Sequence, residues 1–212
     1  MPHHLRYMHM DDVPALMQIE AASFPDSWSA RSYFFEINES NVSYMVCLER
    51  PASEESAPPS VPQGWRRWLS WGRSATSERP SAQLLGYGGL WRIHEEAHIS
   101  TIASDPQERR KGYGEILLLG MLNKAVFLGA HYVVLEVRVS NLAAQNLYYK
   151  HGFSIFDTKP KYYHSDGEDA YDMRLDLLAE GVAERLQSAL FSLQARLDLQ
   201  DDYTFQPHPR LG

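Results

Sequence analysis

The feature that most constrains this chain is a strand, a short polar turn and a pair of glycines that open a helix. The apolar run that ends at Pro106 is followed by the basic Arg109-Arg110-Lys111, and then by Gly112 and Gly114. Apolar residues recur at helical spacing from there to Leu128. The first turn of a helix leaves backbone N–H groups without intrahelical acceptors, so it attracts anions. The segment therefore predicts a strand, an anion-binding loop and a helix in succession.

The glycine spacing narrows the choice of ligand. A Walker loop requires Gly-x-x-x-x-Gly-Lys-Ser/Thr, and the Rossmann fingerprint requires a third glycine three positions after Gly-x-Gly; this segment has neither. A Gly-x-Gly pair alone also fits an ordinary helix start. The preceding strand and the three basic residues favour a diphosphate cradle, and coenzyme A is the nucleotide-bearing cofactor that fits.

The rest of the pattern predicts one α/β domain over residues 1–176, with two additions. Residues 51–83 are rich in Pro, Ser and Glu, which predicts a disordered loop insertion. Its tryptophans at positions 65, 68 and 71 fit a partner-docking or membrane-surface turn as well as a loop folded over the domain, and we assign it no function. In residues 177–212, leucines recur at three- and four-residue spacings. This predicts an amphipathic C-terminal helix that packs on the domain, in a monomer or a weak homodimer.

Charge and cysteine usage exclude several classes of protein. The formal net charge of −7 argues against a general nucleic-acid binder and is compatible with a basic protein partner. The single cysteine, Cys47, excludes an internal disulfide and is expected to be a small buried residue. The histidines lack zinc-ligand spacing, so no metal is expected. No apolar stretch approaches the roughly 20 residues of a membrane span, and a cytoplasmic protein is expected.

Several motifs resemble one enzyme family. Arg109-Arg110-Lys111-Gly112-Tyr113-Gly114 resembles the Gln/Arg-x-x-Gly-x-Gly motif of the GNAT acetyltransferases. The RimI branch of that family carries motifs similar to Leu135–Asn141, Leu147-Tyr148, His151-Gly152-Phe153, Asp26–Ser29 and Lys161-Tyr162-Tyr163. The resemblance runs from about Leu5 to Leu175. It implies a mixed, strongly twisted sheet that is flanked by helices and splayed near Ile102–Ser104.

The resemblance also implies a ligand and a set of binding residues. Acetyl-CoA would be the co-substrate, and N–H groups near Ala103 and Ser104 would polarise the thioester carbonyl. The residues implied for the coenzyme are Ile102, Ala103, Ser104, Arg109, Arg110, Lys111, Gly112, Tyr113, Gly114, Glu115 and Asn141. Those implied for the peptide are Phe24, Trp28, Tyr162 and Tyr163, although core packing explains these aromatic residues nearly as well.

Two residues are candidates for proton transfer. Acetylation of an amine needs a base for the amine and an acid for the departing thiolate. Glu136 lies in an apolar strand, where burial on both faces would raise its pKa, and Tyr148 follows in the next helix. The pattern alone favours pairing of Glu136 with Arg138 and a core or rim position for Tyr148. The resemblance favours the base and acid roles.

The sequence does not determine which amine accepts the acetyl group. The RimI branch implies the N-terminal alanine of small-subunit ribosomal protein eighteen. Other N-termini, lysines or small amines are alternatives within the family. A different class of protein, a non-catalytic acetyl-CoA-binding module that docks partners through the Trp-rich insertion and the C-terminal helix, is a further alternative.

Overall fold

The computed structural model describes residues 2–51 and 82–210. The predicted insertion, with its tryptophans, lies outside the described residues except at its ends. Within these residues, eight strands and five α-helices follow in order: β1 (His3–Tyr7), α1 (Val13–Ser23), α2 (Ala30–Asn38), β2 (Ser43–Arg50), β3 (Gln83–Ile93), β4 (Glu96–Ser104), α3 (Tyr113–Phe127), β5 (Tyr132–Arg138), α4 (Leu142–Lys150), β6 (Ser154–Tyr163), β7 (Glu168–Asp176), α5 (Val182–Leu197) and β8 (Leu199–Asp202).

The strands form one mixed sheet in the order β6-β7-β5-β4-β3-β2-β1-β8. The β4–β5 and β1–β8 pairs are parallel and the other pairs are antiparallel. Helices pack on both faces of this sheet, through two separate apolar clusters. The prediction of a mixed sheet flanked by helices is confirmed.

The sheet opens between its two central strands. The shared register of β4 and β5 ends at His98 and Val134. Beyond that point β4 stays paired with β3, and β5 stays paired with β7, so the two strands diverge. A bulge at Ser100, where the β3–β4 register skips one residue, lies at the start of the divergence. The predicted splay near Ile102–Ser104 is therefore present.

The two faces of the sheet are covered by different helices. On one face, α3, α4 and α5 enclose the larger cluster, to which Leu117, Val133 and Leu190 belong. On the other face, α1 and α2 enclose the smaller cluster. Cys47 lies in that second cluster with no exposed surface, and burial raises the pKa of its thiol, so its prediction as a small buried residue is confirmed.

The C-terminal segment is part of the same fold. The predicted amphipathic helix is α5, whose buried face carries Val182, Leu186, Leu190 and Leu193 and packs on α3. After it, β8 pairs in parallel with β1 and forms the edge of the sheet. The sequence did not predict β8, because four residues are too few for an alternating pattern to stand out.

Candidate active site

A cleft of about 500 Å³ lies where β4 and β5 diverge. It is lined by the α1–α2 loop, the diverging ends of the two strands, the start of α4 and the β6–β7 hairpin. Residues from all three predicted groups meet there: Phe24, Trp28, Ile102, Glu136, Asn141, Tyr148, Tyr162 and Tyr163. Long-range folding thus brings together side chains that lie far apart in the sequence.

Glu136 lies on the side of β5 that borders the cleft. The strand alternates, with Val133, Leu135 and Val137 buried and the residues between them partly exposed. The expectation that both faces of this strand are buried is therefore wrong. Only the odd-numbered side chains pack into the cluster under α3, whereas the other face opens on the cleft.

Two basic side chains hold the Glu136 carboxylate. His98 on β4 hydrogen-bonds Oε2 through Nε2 at 2.8 Å, and Lys159 on β6 donates to Oε1 at 2.5 Å. Lys159 also contacts Asp172 on β7, at 3.1 Å. The alternative partner, Arg138, contacts other acids instead. Glu136 is therefore paired with His98 and Lys159, and not with Arg138 as the sequence pattern suggested.

These contacts reverse the expected direction of the Glu136 pKa. Burial raises this pKa, as predicted, but the hydrogen bonds and charges of His98 and Lys159 outweigh burial and lower it to about 2. The prediction of a raised pKa is wrong because neighbours on β4 and β6 cannot be found from the sequence of β5. Glu136 is ionised at neutral pH.

Tyr148 combines a packed ring with an available hydroxyl. Its ring is buried on α4 and lies 5.7 Å from that of Phe153, between centroids. Burial and the nearby Tyr163 raise the pKa of the phenol, so it keeps its proton at neutral pH. None of the described residues forms a hydrogen bond with its hydroxyl, and the side chain lines the cleft. Tyr148 is therefore a core residue that also lines the cleft.

Arg138 and Asp26 join the two loops above the cleft. Ser165 in the β6–β7 turn donates to an Asp26 carboxylate oxygen in the α1–α2 loop at 2.6 Å. Arg138 reaches the same oxygen at 3.4 Å, and it also contacts Asp166 and Glu168 at 2.8 Å each. Asp26, Arg138, Asp166 and Glu168 form one wall of the cleft.

Buried hydrogen bonds of Glu20 hold the α1–α2 loop in place. The carboxylate, with 1% of the residue exposed, accepts the Trp28 backbone N–H at 2.7 Å and the hydroxyls of Tyr33 and Tyr87. Burial, the dominant effect, raises its pKa. No motif in the sequence pointed to Glu20, although Val13, Leu16 and Glu20 follow a helical spacing that places the carboxylate on the buried face of α1.

The predicted anion-binding loop starts α3. The first intrahelical bond runs from the Ile116 N–H to the Gly112 carbonyl at 3.0 Å, so the preceding N–H groups have no intrahelical acceptor. Gly112 is the N-cap with φ +91°, which glycine adopts readily. Arg109 and Arg110 are exposed beside it, whereas Lys111 donates to Glu108 at 2.5 Å. Open donors and basic side chains fit a diphosphate.

Other predicted coenzyme residues have side chains that are engaged elsewhere. Tyr113 is buried and its hydroxyl is hydrogen-bonded to His3 at 3.1 Å. Glu115 contacts Lys150 at 2.6 Å and His151 at 2.9 Å. Each offers only its backbone N–H to a ligand. Asn141 caps α4, with Oδ1 accepting the Ala144 N–H at 3.2 Å.

The register of β4 determines which N–H groups point into the splay. Asp105 donates its N–H to Leu85 of β3 at 2.9 Å. Because the backbone groups of an antiparallel strand alternate in direction, Ala103 also points toward β3, whereas Ile102 and Ser104 point away from it. The expectation of an Ala103 donor is therefore wrong, and the N–H groups that face the opening are those of Ile102 and Ser104.

Comparison with known proteins agrees with this geometry. The model of the acetyltransferase (GNAT) family matches residues 13–153. The chain belongs to the GNAT family of acetyltransferases. A putative [ribosomal protein bS18]-alanine N-acetyltransferase of Bacillus subtilis is 28% identical to it over 169 residues, which is 80% of this chain and 92% of the relative.

Two further relatives of this GNAT acetyltransferase extend the comparison. The N-alpha-acetyltransferase daf-31 of Caenorhabditis elegans is 41% identical over 126 residues, covering 55% of this chain and 68% of the relative. The crystal structure of the ribosomal-protein-S18-alanine N-acetyltransferase from Escherichia coli shares the fold, with a TM-score of 0.61 and 23% identity. It is matched over 93% of its chain and 82% of this one. The predicted family and fold are confirmed.

Metal-binding clusters and membrane-spanning helices are both absent from the described part of the chain. Within residues 2–51 and 82–210, no group of three His, Cys, Asp or Glu side chains is arranged to hold a metal ion. None of the helices in those ranges is long and apolar enough to cross a membrane.

Proposed function

We propose that this GNAT acetyltransferase acetylates the N-terminal amine of a protein, with Glu136 as base and Tyr148 as acid. The observation that carries the proposal is that both side chains face one cleft at the divergence of β4 and β5. Acetyl-CoA supplies the activated acetyl thioester when it is bound. The described residues would bind its diphosphate at the start of α3 and orient its acyl end in the splay.

In this proposal Glu136 orients the amine and helps to remove its proton. Because the pKa of Glu136 is about 2, the carboxylate is ionised and attracts the cationic end of the acceptor. A carboxylate with so low a pKa does not retain a proton at neutral pH. Because the same negative charge also stabilises the ammonium, we propose that Glu136 acts through a water molecule, which carries the proton of the amine to solvent while the carboxylate stays ionised.

Tyr148 and the β4 backbone act on the other side of the reacting carbonyl. As the amine nitrogen bonds to the acetyl carbon and the carbon–sulfur bond breaks, the Tyr148 hydroxyl gives its proton to the thiolate. The N–H groups of Ile102 and Ser104 would donate to the carbonyl oxygen, where negative charge develops. The phenol then regains a proton from water, so the atoms and charges balance.

The charge around the cleft supports a cationic chain end as acceptor. Five acidic side chains and one arginine line it: Glu20, Asp26, Glu136, Asp166, Glu168 and Arg138. The α1–α2 loop and the β6–β7 turn meet above it through Asp26 and Ser165. An acidic cleft bounded by two joined loops suits a peptide N-terminus better than a lysine in mid-chain, whose backbone would have to continue past both loops.

The N-terminal alanine of small-subunit ribosomal protein bS18 is the acceptor that we propose. The name of the Bacillus subtilis relative supports it, as does the length over which the two chains match. Offering the purified protein acetyl-CoA and an alanine-initiated peptide should yield a product 42 Da heavier, about one acetyl group, by mass spectrometry. An N-terminally blocked peptide with an internal lysine, and a polyamine, should stay unmodified. Preference for either would contradict the proposal.

The catalytic roles are tested by two isosteric variants. Glu136→Gln removes the carboxylate charge and Tyr148→Phe removes only the hydroxyl, so each should lower kcat by about 100-fold or more. Calorimetric titration with CoA should give an unchanged Kd in both, because neither side chain is at the phosphate loop. Unchanged turnover in either variant would remove that residue from the mechanism.

A further inference from the structure

Arg196 lies outside the segment that matches the GNAT model, yet it reaches the phosphate loop. It belongs to the last turn of α5. A Cβ placed on Gly112 would lie 2.9 Å from a guanidinium nitrogen of Arg196. Gly112 is the residue from which α3 starts. The arginine therefore stands directly over the backbone that is expected to receive the diphosphate.

His3 holds the end of α5 beside the start of α3. Its Nδ1 is hydrogen-bonded to the Leu197 carbonyl at 2.6 Å, and its backbone N–H donates to the Asp198 carbonyl at 2.7 Å. Its Nε2 is hydrogen-bonded to the Tyr113 hydroxyl at 3.1 Å. Strand β1 thus ties the residues that follow Arg196 to the first residue of α3. The position of the arginine is fixed by the fold.

The charge of Arg196 is not neutralised within the protein. The side chain is exposed, and no acidic residue in the described part of the chain forms an ion pair with it. Lys111, by contrast, is paired with Glu108. A guanidinium presents several donors in a planar fork that matches phosphate oxygens. An unpaired arginine over an anion-binding loop is suited to a phosphate.

We propose that Arg196 binds a phosphate group of the coenzyme, so that the C-terminal helix completes the acetyl-CoA site. The inference rests on the proposed function and adds to it a ligand contact from a segment beyond the family match. The competing explanation is structural, because a basic residue in the last turn also interacts favourably with the partial negative charge of the end of α5. Only a phosphate contact would make Arg196 necessary for tight binding of the coenzyme.

The test is calorimetric titration of the full chain with CoA. Arg196→Gln should raise the Kd by about five- to tenfold, the usual size of a charge-assisted contact at a partly exposed site. The matched control is Arg185→Gln, since Arg185 is an exposed arginine of the same helix that lies over another glycine, Gly152, at 2.8 Å from its added Cβ. That variant should bind CoA as the wild type does.

A second titration identifies the phosphate. With dephospho-CoA, which lacks the ribose 3′-phosphate, an equal penalty for Arg196→Gln indicates a contact with the diphosphate, and a vanishing penalty indicates the 3′-phosphate. If Arg196→Gln binds CoA with an unchanged Kd and only its thermal midpoint is altered, the proposal is overturned. The arginine would then only stabilise the C-terminal end of α5. No heat from the wild-type protein would instead overturn the proposed function, and this contact with it.

Discussion

The Glu136 carboxylate is held on both oxygens, by His98 on one and by Lys159 on the other. Burial alone would raise its pKa above the ordinary glutamate value of 4.5, whereas these contacts lower it to about 2. The charge that attracts the amine is therefore maintained by side chains from two neighbouring strands. Removing those side chains changes the protonation of Glu136 without changing Glu136 itself.

The double variant His98→Phe/Lys159→Met should shift the acid limb of the rate profile to higher pH. Glu136 must be ionised to act, and without both partners burial again raises its pKa, to above 4.5. Activity should then fall as the pH drops through about 5–6, where the wild type keeps its rate. Steady-state rates between about pH 5 and 8 measure the effect. Lys161→Met, at an exposed lysine on the same strand, is the control, and an unmoved acid limb would contradict the prediction.

The sequence predicted residues better than it predicted their surroundings. Glu136 and Tyr148 do face one cleft, as the resemblance to the GNAT motifs implied. The partners of Glu136 come from β4 and β6, and no local pattern reveals which strands will be neighbours. The direction of the Ala103 N–H depends in the same way on the register of β4 against β3. Motifs thus identify the chemical groups of the site, whereas the pairing of distant strands determines the pKa values of side chains and the directions of backbone N–H groups.

At the scale of elements, the α1–α2 loop and the β6–β7 turn act as a pair. Glu20 anchors the first loop through the Trp28 N–H, and Asp26 receives the Ser165 hydroxyl from the second. Arg138, at the end of β5, contacts acids on both sides. These contacts hold the walls of the cleft in place from three elements.

Asp26→Asn should weaken peptide binding and leave coenzyme binding unchanged. The amide lacks the charge that attracts Arg138 and accepts the Ser165 hydroxyl less strongly, so the two loops should separate more often. We expect the KM of the peptide to rise by about three- to tenfold, with the KM of acetyl-CoA unchanged. Asp11→Asn, at an exposed aspartate before α1, is the matched control. Equal effects on both KM values would argue against a role confined to the loops.

The element boundaries show which local signals are strong. Ser29 caps α2, because its hydroxyl accepts the Ser32 N–H at 3.1 Å, and serine is a favoured residue at this position. Gly129, with φ +73°, follows the end of α3, where glycine is common. The polar β6 gives a weaker signal: its apolar run ends at Phe156, but the strand continues to Tyr163 because it pairs with β7. Caps and glycines act locally, whereas an edge strand depends on its partner.

At the scale of the whole molecule, the C-terminal tail is anchored by a buried lysine. Lys124 on α3, with none of its surface exposed, donates to the Gln206 carbonyl at 2.5 Å. Its Nζ lies 5.1 Å from the ring centroid of Tyr7 and 5.0 Å from that of Tyr203. The same cation therefore contacts α3, β1 and the tail beyond β8. Its charge state links the stability of these parts to pH.

Lys124→Met should remove a rise in stability that the wild type shows between about pH 7.5 and 9.5. Burial lowers the pKa of Lys124 from 10.5 to about 8, against the opposing effect of Asp201. Between those values the unfolded chain binds the proton more tightly, so the free energy of unfolding increases with pH, by about 2 kcal/mol over this range. Above about pH 10 the raised pKa values of Tyr7 and Tyr203 act in the opposite direction, which sets the upper limit. Urea unfolding of the wild type, Lys124→Met and the exposed-site control Lys150→Met measures the slopes. Parallel slopes in all three proteins would mean that Lys124 is not the group through which pH acts on the folded tail.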